Sequence, residues 1–312
     1  MFLRYANAMS TLALVADAGG TNIRFALVDL DAANPALRVP RKYTSRNFAG
    51  IEEAVKAYFA EQDVKPTLAV ISVAGPVSDN AIHMTNLGWK FSGVSFGAAL
   101  NIPQVQLIND YEAIARAIPD LTEVDLRDVG PKITVERGER ETVAIVGPGT
   151  GLGVGGYVRT RDAMIPLVTE GGHADFAPAD DIEIEILKLL RAKFGHVSNE
   201  RILSGPGLVN LHEALCAVEG ATPEKLDPHG ITARAMRDTD SRCGKVLSRL
   251  CAILGSVACD VALTFGARDG VMLAGGILPA VADFLMRSDF RRRVETKGRF
   301  EGYRKAIPTR LI

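Results

Sequence analysis

The fold turns on residues 142–159, Thr142-Val143-Ala144-Ile145-Val146-Gly147-Pro148-Gly149-Thr150-Gly151-Leu152-Gly153-Val154-Gly155-Gly156-Tyr157-Val158-Arg159. An apolar, β-branched run enters a stretch with six glycines in ten residues and leaves it as Tyr157-Val158-Arg159. This is strand, glycine turn, strand. Gly151-Leu152-Gly153-Val154-Gly155-Gly156 matches the Gly-x-Gly-x-x-Gly string, but a dinucleotide fingerprint must open a helix, and here the chain continues as strand. No Gly-x-x-x-x-Gly-Lys-Ser/Thr string occurs, so a Walker-type loop is excluded as well. The reading that remains is a hairpin whose small residues let a phosphate approach backbone N–H groups, against a glycine-rich bend packed under a helix.

About 130 residues upstream the same grammar recurs. Leu12–Ala16 is apolar, Asp17-Ala18-Gly19-Gly20-Thr21-Asn22 is a turn, and Ile23–Leu30 is apolar again. The spacing is too long for a solenoid and fits two related domains, each with one glycine loop. Asp17 could hold Mg²⁺ through water, whereas a plain hairpin turn explains Gly19-Gly20 equally well. Between and beyond the loops, strands at 68–74, 105–108 and 271–273 alternate with helices at 51–60, 110–117, 182–194, 206–218, 245–265 and 279–286. That alternation gives an α/β class.

Composition agrees. The chain has 312 residues, about two domains' worth, with net charge −1, 47% hydrophobic and 23% charged residues. Disorder is excluded, and so is bulk attraction to nucleic acid or to an anionic membrane. The 30 glycines exceed the roughly 22 of average usage, and half of them fall in the candidate loops. Cys216, Cys243, Cys251 and Cys259 are too few for a disulfide framework and read as reduced core residues of a cytoplasmic protein. The apolar run around 251–266 is interrupted by Asp260, and no membrane span is expected. Met9 is a candidate start in place of Met1, since residues 1–8 carry no pattern. Arg291-Arg292-Arg293, with Lys297 and Arg299, reads as a solvated helix end.

Three further places carry chemistry. Asn109-Asp110 closes a strand and opens a helix. Asn109 is a good N-cap with Glu112 positioned for a capping box, while Asp110 lies where open α/β sheets bind ligands and could accept a proton from a hydroxyl. Glu170-Gly171-Gly172-His173 places an acid and an imidazole on one turn. His196 and Glu200 follow, before the Gly205-Pro206-Gly207 break.

In this order the motifs resemble the bacterial glucokinases, a group related to the repressor–kinase family of sugar kinases. The strings are Asp17-Ala18-Gly19-Gly20-Thr21-Asn22, Ala74-Gly75-Pro76-Val77, Met84-Thr85-Asn86, Leu107-Ile108-Asn109-Asp110, Gly149-Thr150-Gly151-Leu152-Gly153, Glu170 through Pro178, Glu200 through Gly207, Ala274-Gly275-Gly276-Ile277 and Gly298-Arg299-Phe300. The resemblance spans nearly the whole chain. It implies an actin-like (ribonuclease H-like) ATPase fold, two α/β domains with a cleft between them. Residues 1–110 would form a small domain completed by about 299–312, and 111–298 a large one. It implies phosphorylation of D-glucose by ATP with Asp110 as general base. Asn109, Asp110, Glu170, His173 and Glu200 would bind sugar. Asp17, Gly19, Gly20, Thr21, Asn22, Gly149, Thr150, Gly151, Gly275 and Gly276 would bind ATP and Mg²⁺. It also implies a homodimer. Ala18 stands where the family usually has Val, and Leu87-Gly88-Trp89 where it usually has His-Thr-Trp. The repressor–kinase cysteine motif is absent, so no zinc is expected around His173, and the sixteen residues before the first loop are too few for a helix-turn-helix. Another hexose (mannose, fructose, an N-acetylhexosamine), another phosphoryl donor, or a catalytically silent sugar-binding regulator remains the alternative.

Overall fold

The computed structural model describes residues 11–312 apart from 34, 63, 137 and 297. The candidate start at Met1 or Met9, and Lys297 of the basic run, lie outside the described residues. The chain divides into two units, Met1–Ala113 and Ile114–Ile312.

The first unit runs β1 (Leu12–Ala18), β2 (Asn22–Asp29), β3 (Arg38–Thr44), α1 (Ile51–Ala60), β4 (Leu68–Val73), β5 (Ala81–Met84), β6 (Trp89–Ser92), α2 (Gly93–Leu100) and β7 (Gln104–Asn109), and enters α3 (Asp110–Ala117). Its sheet has the order β3-β2-β1-β4-β7, with β5 and β6 as a separate hairpin. β1, β2 and β3 are antiparallel, while β1, β4 and β7 are parallel. Apolar alternation sets the register: Leu14, Ile23, Phe25, Ile71 and Leu107 are fully buried or nearly so, and α1 adds Ile51, Ala54, Val55 and Tyr58 at helical spacing. Each such buried aliphatic side chain stabilises the fold by about 1.5–3 kcal/mol. The parallel register aligns Ala18 with Val73 and Val73 with Asn109. Three loops, at Gly19, Gly75 and Asp110, therefore leave the sheet along one carboxyl edge.

The second unit runs β8 (Arg127–Asp128), β9 (Arg140–Pro148), β10 (Leu152–Thr160), β11 (Met164–Thr169), α4 (Asp181–Phe194), α5 (Gly205–Val218), α6 (Pro228–Arg237), α7 (Arg242–Phe265), β12 (Gly270–Leu273), α8 (Ala282–Arg287), α9 (Phe290–Glu295), α10 (Glu301–Lys305) and β13 (Thr309–Leu311). Its sheet order is β11-β10-β9-β12-β13-β8. The plan repeats the first: an antiparallel trio, then parallel neighbours β12 and β13. Val146, Leu273 and Leu311 share a row, so the loop after β9 and the one after β12 leave the same edge. α7 is long and apolar enough to cross a membrane by composition, yet most of it is buried within this unit, with Leu247, Leu250 and Leu254 fully inaccessible. It is a core helix. All four cysteines are buried thiols outside any disulfide.

Two expectations are corrected. The C-terminal segment does not complete the first unit. Thr309–Leu311 pairs in parallel with Val271–Leu273, with Thr309 and Leu311 buried in the second unit. The basic run is a solvated helix end only at Arg292 and Arg299, which are exposed; Arg291 and Arg293 are not. The Arg291 and Arg293 side chains are only 12% and 11% exposed. Arg291 donates to the carbonyls of Ile307 and Lys305, and Arg293 pairs with the fully buried Glu183 of α4. These guanidiniums tie α9 to the last strand and to α4, which a hydropathy reading of three consecutive arginines cannot reveal.

Candidate active site

The first glycine turn joins β1 to β2. Gly19 N–H donates to Asn22 O (2.9 Å), closing a tight turn. The buried Ser45 braces it, donating from Oγ to Gly19 O (2.8 Å) and from N–H to Thr21 O (3.0 Å). A Cβ placed on Gly20 would meet nothing nearer than the Asn86 side chain at 3.7 Å. Gly20 lies outside the left-handed region as well. Neither packing within the chain nor backbone handedness demands glycine there, so the room faces outward, as an approaching phosphate requires. Asp17 lies opposite Arg24 in the register, and Arg24 Nη1 donates to its Oδ2 at 2.5 Å. Ser45 and Arg24 were not singled out from sequence. Arg24 was within reach of such a reading, because a hairpin with this turn sets residue 17 across from residue 24.

Asn109 and Asp110 sit at the end of β7. Asn109 is buried, and its Oδ1 accepts from the N–H groups of Tyr111 (2.8 Å) and Glu112 (3.3 Å), capping α3 as its residue type predicts. Its Nδ2 donates to Gly75 O (3.0 Å). Asn109 thus ties two of the three loops of the carboxyl edge together, and a second Nδ2 hydrogen lies beyond these bonds. Asp110 Oδ1 accepts from Tyr111 N–H (3.0 Å) at the start of α3. Burial, and after it the Asp110 charge, pushes the Tyr111 phenol above its ordinary range.

In the second unit the glycine turn is only residues 149–151, between β9 and β10, and Gly153, Gly155 and Gly156 belong to the strand that follows. Gly149 N–H donates to Gly151 O (2.8 Å). The segment 199–207 supports the turn. Leu152 N–H donates to Glu200 Oε2 (2.9 Å), and Gly205 N–H donates to Gly149 O (2.8 Å). Some glycines here are demanded by fixed backbone. A Cβ on Gly172 would lie 2.0 Å from Leu152 O, and on Gly275 2.5 Å from Pro148 O with φ at +92°, whereas one on Gly151 would meet only the movable Glu200 Oε2 at 2.4 Å. Gly149 and Gly276 are different: a Cβ on Gly149 would meet nothing nearer than Gly276 N at 3.7 Å, and one on Gly276 would meet nothing within 4 Å. The idea that the glycine surplus serves ligand approach is therefore corrected in part. Gly156, Gly171, Gly172, Gly207 and Gly275 serve close packing between elements, while Gly20, Gly149 and Gly276 leave open space.

The turn Glu170-Gly171-Gly172-His173 is held against the segment before Glu200. Phe176 N–H donates to Val197 O (3.0 Å) and Asn199 N–H to Ala174 O (2.9 Å), and His196 Nε2 lies 2.5 Å from Asp175 Oδ1. This brings His173 Nδ1 to 4.0 Å from Glu200 Oε1. Glu170 and His173 are exposed and Glu200 is half-buried. Thus the second unit gathers His173, Glu200, the 149–151 turn and Gly275-Gly276 into neighbouring positions. Among the described residues no group of three or more His, Cys, Asp or Glu could hold a metal ion.

The family model described as Glucokinase matches residues 14–312. A glucokinase of Caulobacter sp. (strain K31) is 47% identical over 302 residues, covering 96% of this chain and 91% of that protein. Among solved structures, the glucokinase from an Antarctic psychrotroph is 36% identical with a TM-score of 0.82, covering 97% of this chain and 94% of its own. A ROK family glucokinase from Streptomyces griseus, in complex with glucose and AMPPNP, aligns with a TM-score of 0.61 at 18% identity, over 93% of this chain and 91% of that one. That last likeness speaks to fold alone. Two α/β units with glycine turns at their carboxyl edges are the actin-like ATPase fold of the sugar kinases. Within that class, the chain belongs to the glucokinase family.

Proposed function

We propose that this chain transfers the γ-phosphoryl group of ATP to the 6-hydroxyl of D-glucose. One observation carries the reading: the row Ala18–Val73–Asn109, from which the open glycine turn and Asp110 leave the same sheet edge. Two strand spacings separate β1 from β7, about 10 Å, which is room for a phosphoryl group and an attacking hydroxyl. Asp110 accepts the proton of that hydroxyl as it attacks. Asn109, Glu170, His173 and Glu200 bind sugar hydroxyls, carboxylates suiting donors that an analogue lacking them would leave unpaired.

The backbone amides around Gly19, Gly20, Thr21 and Asn22, and around Gly149, Thr150 and Gly151, hold the phosphates, with Gly275-Gly276 beside the nucleotide. Open space at Gly20, Gly149 and Gly276 supports that assignment. Asp17 offers the single hard oxygen that a Mg²⁺ held chiefly by phosphates and water needs. When bound, the ion neutralises charge on the transferring group. Arg24, already on Asp17, supplies a second cation at that turn. A cytoplasmic location and a homodimer belong to the same proposal. The first fits four reduced, buried cysteines, and the second rests on the family resemblance alone. A coupled assay of ADP release with Mg-ATP and a panel of hexoses tests the reading. Turnover with glucose above mannose, fructose and N-acetylglucosamine is expected, and no sugar-dependent ADP release would overturn it.

A further inference from the structure

Glu200 stands at a junction that a purely sugar-binding role leaves unexplained. Its Oε2 accepts the Leu152 N–H at the exit of the second glycine turn (2.9 Å), while its Oε1 lies 4.0 Å from His173 Nδ1. The backbone around it is fixed. Ser204 Oγ donates to Glu200 O (2.8 Å) and accepts Gly207 N–H (3.0 Å), and Gly205 N–H holds Gly149 O on the far side of the same turn. A Cβ on Gly151 would lie 2.4 Å from Glu200 Oε2, the movable end of a long side chain, so the turn and this carboxylate are in direct contact.

We propose that Glu200 couples the two ligands, so that sugar and nucleotide each tighten the other's binding. This rests on the site assignment given above. A glutamate side chain loses considerable rotamer freedom when both its oxygens are engaged. A sugar hydroxyl on Oε1 fixes the carboxylate and, through Oε2, the Leu152 amide and the turn. A nucleotide phosphate on the turn fixes the same carboxylate from the other end. Whichever ligand binds first orders Glu200, and the second meets an ordered partner, which is positive cooperativity by linkage.

The test is calorimetric titration of AMP-PNP with Mg²⁺, in the presence and absence of saturating glucose. In the unsubstituted protein glucose should lower the nucleotide Kd by about 5- to 20-fold, within the usual range of coupling between sites. Gly151→Ala should displace the flexible Glu200 carboxylate rather than the backbone, bringing that ratio to about 1. It should also weaken glucose binding several-fold in nucleotide-free protein, although residue 151 lies on the nucleotide turn. Gly149→Ala, whose Cβ would lie 3.7 Å from its nearest neighbour, should weaken AMP-PNP but keep the ratio. Glu200→Asp, too short to reach both partners, should abolish the ratio and weaken AMP-PNP in sugar-free protein. It serves as the second probe if Gly151→Ala does not fold. A ratio near 1 in the unsubstituted protein overturns the coupling, as does a ratio preserved in Gly151→Ala or Glu200→Asp. Unsubstituted protein that binds no glucose overturns the site assignment along with it.

Discussion

The two glycine turns occupy equivalent points of two sheets built on one plan, yet their glycines answer different demands. In the first turn, 19–22, Gly20 meets only Asn86, and the turn is braced from below by Ser45. In the second, 149–151, Gly151 abuts the movable Glu200 carboxylate, and the nearby Gly275 meets Pro148 O at a φ of +92°, so at 275 glycine is needed by the protein itself. Each turn has a half-buried carboxylate at its side, but Asp17 is held by the Arg24 guanidinium, while Glu200 is held by a backbone amide. A count of glycines therefore says little about ligands. Among the loop glycines described, Gly20, Gly149, Gly205 and Gly276 carry no steric reason of their own.

The largest test asks whether the edge bearing the first turn carries the chemistry. Asp110→Asn keeps size and hydrogen-bonding capacity at the start of α3 but cannot take a proton at neutral pH. Turnover should fall by about two orders of magnitude or more, with the sugar KM changed far less. Steady-state kinetics of ADP release decide it. Near-normal turnover would remove the first unit's claim to the base.

The next pair sharpens the steric contrast. Gly275→Ala places a Cβ 2.5 Å from Pro148 O at a φ of +92°, and it should cost about 2–4 kcal/mol of stability. Gly20→Ala should leave the urea midpoint almost unmoved while raising the KM for ATP several-fold, because its new methyl fills space meant for phosphate. Equal destabilisation by the two would erase the distinction between packed and open glycines.

Much of this was legible beforehand. The strands and helices that were expected fall within a few residues of their places, through helical spacing of Ile51, Ala54, Val55 and Tyr58 on α1 and continuous apolar runs at β1 and β4, whereas β3, β5, β6, α2, β11 and α6 were not anticipated. The capping of α3 by Asn109 was legible for the same local reason. What sequence could not give was long-range partnership. Thr309–Leu311 joins the second sheet because Leu273 and Leu311 share a buried row, and no local pattern tells which sheet a three-residue strand will enter. Arg291 and Arg293 look like surface charge until Glu183 and the Ile307 carbonyl, far along the chain, are brought to them. The packed glycines were misread likewise, since the atom that excludes a Cβ at Gly275 belongs to a residue as distant as Pro148.

The smallest expected effect concerns the carboxylate of the first turn. The Arg24–Asp17 pair is 57% and 47% exposed, and an ion pair so solvated contributes roughly 0–1 kcal/mol and fades with salt. Arg24→Ala should therefore shift the unfolding midpoint only slightly at low ionic strength and not at all in about 1 M salt, where the Debye length is near 3 Å. If Arg24 stands at the turn chiefly for the phosphates, the same variant should raise the KM for ATP more than it lowers stability. A large, salt-insensitive loss of stability would instead make Arg24 a structural brace of the kind Ser45 is, and the first turn would then resemble the second, held by its own chain on every side.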